Sequence, residues 1–241
     1  MKAILLAAGE GRRLALTRFY GSKVLIPVRK KPILEWNLLF LKRNGIRNIV
    51  INLCCGKEKI LAFLKSRKFP GMRIDFSCEN KPLGTAGGVK KAEAMLGKQD
   101  FLVVYGDNLC DFDIPKLFRV HRKKKALATL GVFDPRATSH SGILAGFVRI
   151  DEQGKVEKFI EKRDNQKIPA DGYVNAGVAI FSPDIFGMIP QRRFCDFGKN
   201  IYPKLIQCHK RLFAATGATY VLASDTAAAL QKTRYLAAKI L

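Results

Sequence analysis

Along the first half of the chain, short apolar runs alternate with stretches of helical period. Residues 3–8 (AILLAA) form a continuous apolar run of strand length, and such a run predicts a buried strand. Pro32 then opens a helical pattern with Ile33, Leu34, Leu38 and Leu41 along one side, and Gly45 is placed to end it. Residues 49–53 read as a second buried strand, 72–76 and 101–105 as further strands, and residues 57–66 and 86–96 as further helices. Strand alternating with helix predicts a parallel sheet covered by helices on both faces.

After residue 125 the pattern changes. Residues 126–133, 143–150, 155–161 and 173–181 read as strands with little helix between them, apart from a short one near 183–189. Asp151-Glu152-Gln153-Gly154 has turn chemistry, and Asp113 before Ile114-Pro115 is suited to cap a helix. Helical patterns return at 197–208 and 226–240, and no repeat or low-complexity linker interrupts the chain. The expectation is one domain over 1–241, with an α/β half (1–125) and a mixed half (126–241) that extends the same sheet.

Composition narrows the class. The 241 residues are 48% hydrophobic, which suits a globular protein with a sizeable core. No apolar stretch reaches bilayer length, and the first run ends in Gly9-Glu10-Gly11 instead of a cleavage site, so a cytoplasmic protein without a membrane partner is expected. Six cysteines without a C-x-x-C pair, beside three histidines, supply no zinc-ligand spacing and read as buried or incidental thiols. The net charge of +23 raises the local concentration of anionic ligands. Basic clusters at 29–31, 65–68 and 122–125 read as solvated faces. With no RNA-recognition, helix-turn-helix or zinc-finger pattern beside them, nucleic acid is not the expected partner.

In open parallel sheets ligands bind beyond the carboxyl ends of the strands, which directs attention to Gly9-Glu10-Gly11-Arg12-Arg13-Leu14. The glycines let backbone N–H groups approach an anion, and the arginines can grip phosphate oxygens with paired donors. A dinucleotide fingerprint needs a third glycine where Leu14 stands, and no Walker loop occurs in the chain.

The continuation is more specific: Ser22-Lys23-Val24-Leu25-Ile26-Pro27-Val28, then Lys31-Pro32-Ile33-Leu34-Glu35. With these segments the chain resembles the nucleoside-diphosphate-sugar pyrophosphorylase (sugar-1-phosphate nucleotidyltransferase) family, most of all its mannose-1-phosphate and heptose-1-phosphate guanylyltransferases. Arg12 stands where the family often has Thr or Ser, and Ser22 where it has Pro. Leu83-Gly84-Thr85-Ala86-Gly87-Gly88 is similar to the family's base-contacting segment, and Tyr105-Gly106-Asp107 to its metal motif. Glu161-Lys162 and Asn175-Ala176-Gly177 are similar to its sugar-phosphate segments.

The resemblance implies a Rossmann-like three-layer α/β/α nucleotidyltransferase fold with a mainly parallel mixed central sheet. It implies attack by a sugar-1-phosphate oxygen on the α-phosphorus of a nucleoside triphosphate, with release of pyrophosphate. Leu6, Ala8, Gly9, Gly11, Arg12, Arg13, Lys23, Gly84, Thr85, Ala86 and Gly106 would bind the nucleotide. Among them Arg13 would hold the β- and γ-phosphates and Lys23 the α-phosphate, while Asp107 would hold Mg²⁺. Lys162 would bind the sugar's phosphate, and Glu161 and Asn175 its hydroxyls. Gly142 fits a sugar-side glycine by context and Gly146 by its spacing to Asp151, with Gly142 preferred. Guanine is the favoured base, with uridylyl or thymidylyl transfer as the alternative. A homo-oligomer is compatible with this reading, and the hexapeptide-repeat β-helix of some longer relatives is not expected.

One segment departs from the pattern. Ala223 stands where the family's W-x-D-I-G-T-P segment has its second metal-binding aspartate, and Asp225 falls two residues later. Asp225 either replaces that ligand or caps the helix that follows. The altered segment also motivates a non-catalytic alternative, a regulatory protein that binds a nucleotide sugar.

Overall fold

A computed structural model describes residues 1–9, 11, 20–142, 146–161 and 172–241. In chain order its first half runs β1 (Lys2–Leu6), β2 (Pro27–Val28), β3 (Lys31–Pro32), α1 (Ile33–Arg43), β4 (Asn48–Leu53), α2 (Lys57–Ser66), β5 (Arg73–Cys78), α3 (Gly84–Lys91), α4 (Glu93–Leu96), β6 (Phe101–Tyr105), β7 (Asn108–Phe112) and α5 (Ile114–Lys123). The rest comprises β8 (Ala128–Phe133), β9 (Ser139–His140), β10 (Phe147–Ile150), β11 (Val156–Ile160), β12 (Tyr173–Phe181), a 3₁₀ turn (Pro183–Met188), a π-helical turn (Phe197–Ile201), α6 (Tyr202–Gln207), β13 (Leu212–Thr216), β14 (Ala218–Ala223) and α7 (Ala227–Ile240).

The central sheet has the order β11-β10-β12-β6-β1-β4-β5, with β8 beside β12 and β13 beside β8. β6, β1, β4 and β5 are all parallel. β12 then enters antiparallel to both β6 and β8, so strands from either side of residue 125 share one mixed sheet. Side chains alternate across it. Ala3, Leu5, Ile49, Ile51, Leu102 and Val104 face one core with Leu34, Leu38 and Leu41 of α1, Ile60 of α2 and Leu117 of α5. Ile4, Val50, Phe101 and Val103 face the other, with Ala86 and Val89 of α3 and Tyr202 and Leu205 of α6. Helices cover both faces, giving three layers. Each fully buried leucine of α1 stabilises this packing by about 1.5–3 kcal/mol.

Several elements differ from the periodicity. The helix expected over 86–96 begins at Gly84 and breaks at Ala92. The pattern at 197–208 opens as a π-helical turn, where the Asp196 side chain accepts from the N–H groups of Gly198 and Lys199. Asp113 does cap α5, accepting from Lys116 N at 2.8 Å. Residues 143–145 of the expected 143–150 strand lie outside the described residues. Strands β7, β13 and β14 carry no period that announces them. β14 pairs antiparallel with β7 and parallel with β9, forming a separate three-stranded sheet from segments far apart in sequence. Cys110 and Cys195 are buried, whereas Cys78 and Cys208 are exposed.

Candidate active site

A cavity of about 290 Å³ opens where the carboxyl ends of the parallel strands converge. Leu6, Ala8 and Gly9 continue from β1 into its wall, Asn52 comes from β4, and Tyr105 and Asp107 follow β6. Gly106 N donates to Leu6 O at 2.9 Å, and a Cβ at residue 106 would lie 2.6 Å from that oxygen, so this close approach requires glycine. Gly84 and Thr85 at the start of α3, with Phe194 and Asp196, complete much of the lining.

Lys23 enters the cavity from a short 3₁₀ turn, Lys23–Leu25, whose three residues are all buried. The preceding Ser22 has φ −153°, which the ring of the family's proline would forbid. Lys23 Nζ donates to Asp107 Oδ2 at 2.7 Å and also to Asp225 Oδ1. Burial alone pushes an ammonium pKa down, yet Asp107 and Asp225 outweigh it and hold that of Lys23 above its ordinary value.

The three-stranded sheet brings the two carboxylates together. Its register sets Ala223 opposite Asn108, so Asp107 and Ser224 are neighbours across the strand ends. Ser224 Oγ donates to Asp107 O at 2.8 Å. Ala223 is fully buried: its N–H donates to Ser141 Oγ at 2.7 Å and its carbonyl accepts from Thr233 Oγ1 at 2.6 Å. Asp225 does not cap the following helix, because Thr226 does, with Oγ1 accepting from Ala229 N at 3.2 Å.

On the opposite flank of the motif set, Gly84 has φ +77°, and a Cβ there would meet the Cys195 carbonyl oxygen at 2.4 Å. That same oxygen accepts from the N–H groups of Ala86 and Gly87, each at 3.0 Å, so Ala86 is buried and its amide already engaged. Thr85 Oγ1 donates to Asp196 Oδ2 at 2.8 Å and accepts from Phe197 N at 2.9 Å. Burial, reinforced by Asp196, drives the Tyr105 phenol well above its usual range. Glu79 is buried against Asn52, whose Nδ2 donates to Glu79 Oε1, while Leu83 N donates to Oε2 at 2.8 Å. Burial pushes the Glu79 carboxyl above the usual carboxylate range.

The residues expected on the sugar side are not gathered in the same way. Glu161, Asn175 and Gly142 are not among the residues lining this cavity. Burial, then the nearby Asp196, raises the Glu161 carboxyl. Asn175 Oδ1 accepts from Gly177 N at 3.2 Å, and Gly142, exposed, donates from its N–H to His140 Nδ1 at 3.1 Å. Gly146 is required by packing, since a Cβ would fall 2.1 Å from the Phe159 ring. Gly11 adopts φ +62°. Arg12, Arg13 and Lys162 lie outside the described residues.

Asn52, Glu79 and Asp196 were not assigned from the motifs, and Asp225 was left open between a replacement ligand and a helix cap. A signal for Asn52 existed, a polar residue inside an otherwise apolar strand, and Asp196 stands at an N-cap before a helical pattern.

An α/β/α sheet with a cavity at the carboxyl ends of its strands has the architecture of an open-sheet ligand-binding protein. The chain matches the nucleotidyl transferase family over residues 2–220 and belongs to it. It is 31% identical over 217 residues to UTP–glucose-1-phosphate uridylyltransferase of Synechocystis sp., covering 86% of this chain and 55% of that protein. It is 32% identical over 188 residues to D-glycero-alpha-D-manno-heptose 1-phosphate guanylyltransferase of Campylobacter jejuni, covering 77% of this chain and 78% of that protein. The chain thus spans little more than half the length of several curated relatives it matches. The crystal structure of HddC from Yersinia pseudotuberculosis complexed with GMP-PN has the same fold, with a TM-score of 0.77 at 23% identity over 99% of this chain and 98% of that one. No helix among the described residues is long and apolar enough to cross a membrane.

Proposed function

We propose that this protein transfers a nucleotidyl group from a nucleoside triphosphate to a sugar-1-phosphate, as a single catalytic unit in the cytoplasm. GTP and mannose-1-phosphate or heptose-1-phosphate are the proposed substrates. The observation that carries this reading is Lys23, held with Asp107 at a cavity walled by Gly9 on one side of the motif set and by Gly84 and Thr85 on the other.

In the reaction, an oxygen of the sugar's phosphate forms a bond to the α-phosphorus while the bond to the β-phosphate oxygen breaks, and pyrophosphate leaves. Such transfer asks the protein mainly for alignment and charge neutralisation. Lys23 supplies a cation beside the α-phosphate, where negative charge develops. Arg13 would hold the departing pyrophosphate, and Lys162 the attacking phosphate, with Glu161 and Asn175 directed to the sugar hydroxyls. Glu79 and Asn52 at the cavity wall suit the base. The carboxylate of Asp107 is a hard oxygen donor, the type that Mg²⁺ prefers. When bound there, Mg²⁺ would neutralise phosphate charge.

The test is a screen of the common nucleoside triphosphates against sugar-1-phosphates with Mg²⁺, read as pyrophosphate release. Release with GTP and one of the two named sugar phosphates is expected, and no turnover with any pair overturns the reading. The uridylyltransferase relative favours a second outcome, turnover with UTP, which would retain the chemistry and change the base. Binding of a nucleotide sugar without any turnover would mark a regulatory protein instead.

A further inference from the structure

We infer that the groove between α3 and the segment carrying Gln191 and Arg192 is a second ligand site, suited to a small hydroxylated molecule with two phosphate groups, and that filling it tightens nucleotide binding in the cavity. The site itself stands apart from nucleotidyl transfer, and only its coupling to the cavity rests on that reading.

The groove has a volume of about 450 Å³, larger than the cavity and within the range of small-molecule sites. Lys81 reaches it from the loop after β5, Lys90 and Lys91 from the end of α3, and Arg192 from the facing segment. Glu93 is the one carboxylate among the described residues that line it, and Lys90 already holds it at 2.7 Å. Lys90 Nζ also donates to Phe186 O at 2.9 Å and lies 5.5 Å from the centre of the Phe186 ring, so it is a fixed post.

Lys81, Lys91 and Arg192 are exposed, and the single carboxylate of the groove is engaged elsewhere. Arg192 is held at φ +55°, a left-handed conformation that L side chains seldom adopt. Cations lining a concave space with so little opposing charge suit phosphate, which takes paired donors from arginine and a point charge from lysine. Asn80 and Gln191 add amides for hydroxyl groups. No aromatic ring among the described lining residues offers a stack for a base, which favours a sugar-like body over a nucleotide.

The groove and the cavity share a wall. After β5, Glu79 and Pro82 line the cavity while Asn80 and Lys81 line the groove. At α3, Gly84 and Thr85 face the cavity while Leu83 and Gly87 face the groove. Beyond the 3₁₀ turn, Phe194 and Asp196 take the cavity side while Gln191 and Arg192 take the other. Hydrogen bonds knit these segments together: Cys195 N donates to Leu83 O at 2.8 Å, and Leu83 N donates to Glu79 Oε2 at 2.8 Å. An anion that draws Lys81, Lys91 and Arg192 together orders the same three segments that a nucleotide contacts from the other side. With that ordering already done by one ligand, the other binds more tightly, and the effect is reciprocal.

The experiment titrates the full chain calorimetrically with 2,3-bisphosphoglycerate, which carries no phosphate on an anomeric carbon, without GTP and with saturating GTP. Binding is expected in both conditions. Lys81→Gln, Lys91→Gln and Arg192→Gln should each weaken it by about tenfold, and the triple variant should lose it. The bisphosphate should tighten GTP binding to the parent by roughly 5- to 150-fold, the usual range for coupled sites, and leave GTP binding to the triple variant unchanged. Hydrogen exchange should slow across residues 79–91 and 191–197 when the bisphosphate is added. Absence of binding by the parent overturns the proposal, as does binding that GTP displaces, which would put the bisphosphate in the cavity. Bisphosphate affinity indifferent to the triple substitution, or GTP affinity that the bisphosphate does not raise, overturns it too. Thermal melts identify any variant that fails to fold, and the parent's titrations without and with GTP carry the test in that event. A parent that binds no GTP at all is a failure of the nucleotidyl-transfer reading, and the bisphosphate titrations of parent and triple variant still decide the groove.

Discussion

Two sheets meet at Lys23, and they are built on different scales. β6, β1, β4 and β5 form a parallel block in which β6, β1 and β4 are short, mainly apolar runs, β5 at the edge alternates polar and apolar residues, and helices cover both faces. The small sheet of β7, β14 and β9 joins the core of that block on one face through Cys110, Phe112, Val221 and Ala223, and on the other it packs Leu109, Tyr220 and Leu222 against Leu230 and Ala237 of α7. Its strands join segments as distant as Asn108 and Ala223. The parallel block shapes the cavity floor, whereas the small sheet brings Asp225 to Asp107. The comparison teaches that scaffold and charge placement fall to different strands, although both sheets draw on one core.

The sharpest test of that separation is Leu38→Ala in α1. It should cost about 2–5 kcal/mol in chemical denaturation, because Leu38 is fully buried in the core under the parallel strands. A loss confined to the small sheet would contradict the assignment of global stability to the parallel block.

Gly84→Ala comes next, at about 1–3 kcal/mol, since φ +77° strains an L side chain and the new Cβ meets the Cys195 carbonyl. Nucleotide affinity should fall with it, as Gly84 lines the cavity. Unchanged affinity in a calorimetric titration would detach α3 from nucleotide binding.

Thr226→Ala removes the cap of α7 and should cost about 1 kcal/mol. Hydrogen exchange should quicken in the first turn of α7 while β1 stays protected. Equal loss in both places would mean that the two sheets open as one unit.

Glu161→Gln is expected to have the smallest effect and depends on pH. The Glu161 carboxyl is raised by burial and by Asp196, so between its ordinary value, about 4.3, and its folded value the native state binds more protons than the unfolded chain. Its contribution to stability is therefore lost as pH rises through that window. The variant should gain on the parent in melting temperature as pH rises from about 4 to 7, and a constant difference would remove the buried carboxyl as its cause.

The sequence alone determined the parallel block, because burial on both faces leaves continuous apolar runs and helices leave a stripe, both readable within a few residues. The helix over Lys57–Ser66 and the strand at Phe101–Tyr105 coincide with their predicted spans. The motif set, with Lys23 and Asp107 in it, was equally legible because backbone approach and charge require particular residue types at those places. The structure supplied what local pattern cannot carry. Asp225 was readable as a cap or as a replacement, and its proximity to Lys23 follows from pairing β14 with β7. Glu79 reached Asn52 through the order of β4 and β5. Hydrophobic period is a property of neighbours in sequence, whereas the field at a buried cation is set by whichever strand ends the tertiary fold brings within hydrogen-bonding distance.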